Sequence, residues 1–150
     1  MRDLFTSFKD NCGFGLLASI DNTPSHKNLE DAITSLSRMM HRGAIAADGK
    51  TGDGSGLLLS LPKSFFNKEA AANGVELPET YAVAMVFSDN ETDFDVINRV
   101  CENNDLKVLY TRTVPVDTNA LGEQALASLP MMKQVFVAPE SAVAANRFEA

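Results

Sequence analysis

Asn11-Cys12-Gly13-Phe14-Gly15 leads directly into the apolar run Leu16-Leu17-Ala18-Ser19-Ile20. Gly13 and Gly15 remove side-chain bulk from either side of the thiol, so a second molecule can approach the backbone closely there. Cleavage of the Asn11–Cys12 peptide bond would make Cys12 the first residue. It would then carry both a thiol nucleophile and a free α-amine. That amine titrates near about pH 8 in model peptides and can take the thiol proton without help from a histidine. The plain alternative is a small buried hydrophobe at the start of a strand. A cysteine between glycines does not by itself separate the two.

Outward from this stretch, residues 12–20 read as a buried strand and Asp21-Asn22-Thr23-Pro24-Ser25 as a turn. Leu29, Ala32, Ile33, Leu36, Met39 and Met40 recur at helical spacing. Asn28 is the expected N-cap, with Glu30 and Asp31 in the first turn. Arg38, His41 and Arg42 fall in the last turn, and Gly43 is the expected terminator. Asp48-Gly49-Lys50-Thr51-Gly52-Asp53-Gly54-Ser55-Gly56 follows. It has neither the spacing of a phosphate-binding Walker loop nor the acidic ligands of an EF-hand. It is either a flexible connector or a loop whose backbone approaches a ligand.

Residues 57–61 read as a short strand, 64–73 as a helix closed by Asn73-Gly74, and 81–87 as a strand. A helix over 93–103 carries Cys101 on its core side. Strands over 106–114 and 132–137 flank a helix over 122–129. Taken alone, this alternation suggests a parallel α/β sheet, although periodicity does not set strand direction.

Composition narrows the function classes. A net charge of -7 with no basic block argues against nucleic acid and against an anionic membrane surface as partners. The only cysteines, Cys12 and Cys101, form neither a metal-type spacing nor a disulfide framework, so a reducing, cytoplasmic setting and no metal site are expected. Residues 1–11 contain Arg2, Asp3, Lys9 and Asp10 and lack the apolar core of a secretory signal. No apolar run reaches membrane-spanning length.

Three segments occur in order: Asp10-Asn11-Cys12-Gly13-Phe14-Gly15, Met40-His41-Arg42-Gly43-Ala44, and Ala47-Asp48-Gly49-Lys50-Thr51-Gly52-Asp53-Gly54-Ser55-Gly56-Leu57, with Pro24-Ser25-His26 between the first two. Together they resemble the start of the glutamate synthase large chains, within their N-terminal class II glutamine amidotransferase domain. The closing Ala145-Asn146-Arg147-Phe148-Glu149 resembles a segment from the middle of that domain. The resemblance implies an α+β fold of the N-terminal nucleophile hydrolase type. That fold is a four-layer αββα sandwich of two mostly antiparallel sheets with helices outside, here incomplete. It displaces the parallel-sheet expectation. Residues 1–11 would be a propeptide and residues 12–150 the N-terminal portion of a truncated amidotransferase domain.

By this resemblance Cys12 is the catalytic nucleophile and its α-amine the general base. The thiolate would attack the side-chain amide of glutamine, ammonia would leave, and water would release glutamate from the thioester. Arg42 and Gly43 match the substrate-binding segment beside the nucleophile. Without the resemblance Arg42 reads as a solvated helix-end cation. His41 is expected to be structural, His26 is not needed as a base, and Asp53 receives no catalytic role in a loop that resembles a pocket wall. Asn73-Gly74 reads as a helix cap, because the family's oxyanion-holding Asn-Gly pair lies farther downstream.

The resemblance also implies an oxidoreductase of ammonia assimilation and glutamate biosynthesis. Its FMN, iron–sulfur cluster and 2-oxoglutarate site would lie in a synthase region outside these residues, leaving no cofactor in this chain. The implied partners are glutamine, the remaining synthase domains of the same polypeptide, and either a small NAD(P)H-oxidising subunit or ferredoxin. The 150 residues alone are expected to be inactive. Two other readings stay open: another N-terminal nucleophile amidohydrolase, or a catalytically silent truncated fragment.

Overall fold

The computed structural model describes residues 13–39 and 43–141. The chain forms helix α1 (His26–Arg38), α2 (Lys63–Ala72), strand β1 (Ala82–Ser88), α3 (Thr92–Glu102), β2 (Leu106–Thr113), a 3-10 turn at Thr118–Ala120, α4 (Glu123–Ala127) and β3 (Met131–Pro139). Two compact units result. One joins the chain up to Leu58 with Asn119–Ala127. The other joins Leu59–Thr118 with the chain from Ser128.

The second unit is built on a three-stranded sheet in the order β1-β3-β2. β3 runs antiparallel to both neighbours, with Val83 opposite Phe136 and Arg112 opposite Gln134. β1 and β2 therefore point the same way with β3 between them. Joined by α3, they make a split βαβ unit. Among the described residues the parallel sheet suggested by alternation alone is thus not formed, since both strand pairs of this sheet are antiparallel. The antiparallel α+β architecture implied by the resemblance is present as this single sheet with its helices.

β3 takes the centre because it is apolar on both sides, as a strand covered on both faces must be. Val135, Phe136 and Ala138 are buried. Phe136 and Lys133 are three residues apart and so project from opposite faces. On one face Phe136, fully buried, meets the Phe66 ring of α2 edge-on at 5.2 Å between centroids and the Tyr110 ring at 5.4 Å. Burying such a ring contributes about 1.5–3 kcal/mol. On the same face Arg112 donates through Nη1 to Gln134 Oε1 at 2.8 Å, and its Nη2 pairs with Glu69 of α2 at 3.2 Å. On the other face Lys133 Nζ lies 2.6 Å from Glu91 Oε2 and 4.0 Å from the Phe94 ring centroid of α3. Cys101 is buried, as expected, and burial, with Glu102 adding to it, pushes its thiol pKa up.

The first unit holds α1 and α4. α1 begins at His26, not after an Asn28 cap; Ser25 stands at the N-cap position with no side-chain cap bond, and the first turn carries no acid. Starting early brings Lys27 into the helix, and its side chain pairs with Asp31 one turn on. The strand expected at 12–20 is not formed over 13–20, where Phe14, Leu16 and Ile20 are exposed. Residues 57–61 likewise form no strand, and Leu58 is fully exposed. An apolar run becomes a strand only beside a partner edge that satisfies its backbone groups, and among the described residues none pairs with either run.

Candidate functional site

Of the three site residues expected from sequence, Gly43 is described; Cys12 and Arg42 lie outside the described residues, as does His41. The site is therefore built from Gly43 forward. The chain turns back on itself over 44–53. Ala46 N–H donates to Thr51 O at 2.7 Å, Asp53 N–H donates to Ala44 O at 3.2 Å, and Ile45 and Gly52 form an antiparallel bridge. Gly49 N–H closes the tip onto Ala46 O at 3.0 Å. Gly49 sits at φ +71°, a left-handed conformation that glycine adopts without penalty. This half of the glycine-rich loop is a short ordered hairpin, not a flexible connector.

Two carboxylates hold the hairpin, one at each end. At the mouth, Asp53 Oδ2 accepts the Ala44 N–H at 2.9 Å. At the tip, Asp48 accepts the N–H groups of Lys50 at 3.0 Å and Thr51 at 2.7 Å, together with the Thr51 hydroxyl. The Thr51 hydroxyl is the largest influence, followed by those two N–H groups, in holding the Asp48 carboxyl well below the usual carboxylate range. The tip is also docked onto the start of α4. Asp48 Oδ2 accepts Gln124 N–H at 3.4 Å, and Thr51 Oγ1 accepts Ala125 N–H at 3.3 Å. Gly122 makes this possible: a Cβ there would stand 2.3 Å from Thr51 Oγ1 and 2.6 Å from Thr51 N, too close for any real contact.

The remaining polar residues weighed from sequence have other work. His26 lies 3.6 Å from Glu30 on the exposed side of α1. At the end of α2, Asn73 Nδ2 donates to Glu69 O at 2.9 Å, Gly74 N–H to Ala71 O at 3.0 Å and Val75 N–H to Ala70 O at 2.9 Å. With Gly74 at φ +75°, this is the paired-bond helix terminus that glycine enables. The Asn73 amide and the Gly74 N–H are both committed to the helix. Among the described residues no group of three or more His, Cys, Asp and Glu side chains could hold a metal ion.

Sequence reasoning missed the roles of Asp48 and Asp53. An Asp three residues before a Thr, with Gly between, is a legible signal for a side-chain-closed turn. Nothing local announces the Asp53–Ala44 bond, which depends on hairpin register.

Comparison with known proteins adds the chemistry. A family profile described as glutamine amidotransferases class-II matches residues 12–150. The chain is 40% identical over 134 residues to ferredoxin-dependent glutamate synthase 1, chloroplastic/mitochondrial, of Arabidopsis thaliana, which covers 84% of this chain and 8% of the relative. It is 36% identical to the glutamate synthase (NADPH) large chain of Bacillus subtilis, over 88% of this chain and 9% of the relative. It is 37% identical to the glutamate synthase (NADH) of Schizosaccharomyces pombe, over 89% of this chain and 7% of the relative. The chain thus spans less than a tenth of the length of these curated relatives.

Proposed function

Because the chain belongs to the class II glutamine amidotransferases, we propose that it is the nucleophile end of the glutamine-hydrolysing domain of a glutamate synthase. One observation carries the reading: the family match begins at Cys12 and runs on through Arg42-Gly43 and the glycine-rich loop. Residues 1–11 are removed as a propeptide, and the freed α-amine of Cys12 takes the thiol proton. The thiolate attacks the glutamine side-chain amide carbon, forming a C–S bond. The amine returns the proton to the leaving nitrogen as the C–N bond breaks, and ammonia departs. Water then cleaves the γ-glutamyl thioester, giving glutamate and restoring the thiol. Arg42 and Gly43 bind the glutamine.

In the complete domain the exposed apolar runs 13–20 and 57–61 become strands of a four-layer αββα sandwich. Their exposed side chains support that reading. The oxyanion donors come from farther along the longer polypeptide, since those of Asn73-Gly74 are spent on α2.

In the whole enzyme the ammonia is used to make glutamate from 2-oxoglutarate. An iron–sulfur cluster held by four thiolates does not fit a chain with two cysteines, one of them buried in α3. The cluster and the FMN belong to the synthase region. The electron donor is ferredoxin or a small NAD(P)H-oxidising subunit; the relatives' names include ferredoxin, NADPH and NADH. Among the described residues no helix is long and apolar enough to cross a membrane. We place the enzyme in the reducing cytoplasm on its cysteine usage.

The test is the full-length enzyme carrying Cys12→Ala, with N-terminal sequencing of the wild type. The mature wild-type chain is expected to begin at Cys12. The variant is expected to lose about 10⁴-fold or more of its glutamine hydrolysis while still using added ammonia. Glutamine hydrolysis that survives Cys12→Ala overturns the proposal.

A further inference from the structure

We propose that Asp53 is a positioning residue for Gly43, acting through the peptide plane that joins Gly43 to Ala44. The inference rests on the reading of Arg42-Gly43 as the glutamine-binding segment. Asp53 Oδ2 accepts the Ala44 N–H at 2.9 Å, while the Asp53 N–H donates to Ala44 O at 3.2 Å. In a regular antiparallel pair the two residues exchange backbone bonds in both directions. Here the side-chain carboxylate takes the place of the Asp53 carbonyl as acceptor. The peptide group is planar and trans, so its N–H and C=O point in opposite directions. Holding the Ala44 N–H therefore fixes the direction of the Gly43 carbonyl. Gly43 needs this hold, because glycine leaves φ and ψ less constrained than any other residue. Asp48 secures the far end of the hairpin through its own set of donors, which leaves Asp53 to act at the mouth. Asp53 is exposed, so replacing it opens no cavity.

The test compares Asp53→Ala, Asp53→Asn and Cys12→Ala in the full-length enzyme. Asp53→Ala is expected to lower kcat/KM for glutamine by about tenfold to a hundredfold, the cost of a misplaced binding group. It should also speed hydrogen exchange at the Ala44 amide and leave the reaction with added ammonia unchanged. Asp53→Asn keeps an oxygen acceptor and is expected to restore both kcat/KM and amide protection. A wild-type kcat/KM in Asp53→Ala, or an asparagine variant as impaired as the alanine one, overturns the proposal. Should the alanine variant not fold, Asp53→Glu decides in its place. It moves the acceptor by one methylene, so reduced kcat/KM supports the positioning role and wild-type kcat/KM refutes it. Cys12→Ala separates the layers. If it still hydrolyses glutamine, the glutaminase reading itself fails. If it is dead while Asp53→Ala is fully active, only the role of Asp53 fails.

Discussion

Asp48 shows how much one half-buried carboxylate can organise when donors converge on it. Lys50, Thr51 and Gln124 all aim backbone N–H groups at it, and the Thr51 hydroxyl joins them. Each donor favours the ionised form, so the folded-state pKa lies below the ordinary value of 3.8. The sign follows by linkage: the stabilisation is present above that ordinary value and is lost as pH falls through the lower folded-state pKa. The denaturation midpoint of the wild type is expected to fall more steeply with acid below about pH 4 than that of Asp48→Asn, and to exceed it at neutral pH. Denaturant titrations of both proteins across that range check this. An equal acid slope in both would refute it. The Asp48 turn was missed although it carried a local signal, since its main partners are two and three residues away. The Asp53–Ala44 bond carried none, because it spans nine residues and exists only once the hairpin has its register.

The end of α2 makes a sharper statement at the scale of an element. Its terminal bonds use the Asn73 side chain and the Gly74 backbone together. Asn73→Ala in the full-length enzyme is therefore expected to leave kcat for glutamine hydrolysis unchanged. An oxyanion donor would instead cost about 10²–10³-fold, so a steady-state assay distinguishes the two roles directly. The same α2 was readable from sequence, as were α3, β1, β2 and β3, because each carries its own periodicity and its own stop signal. Residues 13–20 and 57–61 were not, for a definite reason. Apolar character specifies that a run wants burial, but the partner edge lies elsewhere in the chain, and without it Phe14 and Leu58 stay in solvent. The start of α1 was misplaced by a weaker effect. Ser25 and Asn28 are both capping residues, and the helix starts after Ser25, the earlier of the two.

At the scale of the molecule, strand direction was the quantity periodicity left open; the family resemblance implied antiparallel pairing, and the register shows it. β3 is apolar on both faces and occupies the central slot, and it runs antiparallel to both β1 and β2 although the order of elements alternates. Phe136 is the fully buried side chain at its centre. Phe136→Ala is expected to destabilise the second unit by about 3–5 kcal/mol. Equilibrium denaturation monitored in that unit measures this, and a loss near zero would mean that the ring is not the core contact described. The docking of the Asp48 turn against α4 has a different kind of consequence, one of timing. Asp48 and Gln124 are 76 residues apart, and Thr51 and Ala125 are 74. A ribosome adding about 5–20 residues per second takes roughly 4–15 s to cover that distance. The 44–53 hairpin can close as soon as it leaves the exit tunnel, but its tip waits unlatched until the whole of α3 and β2 has been translated.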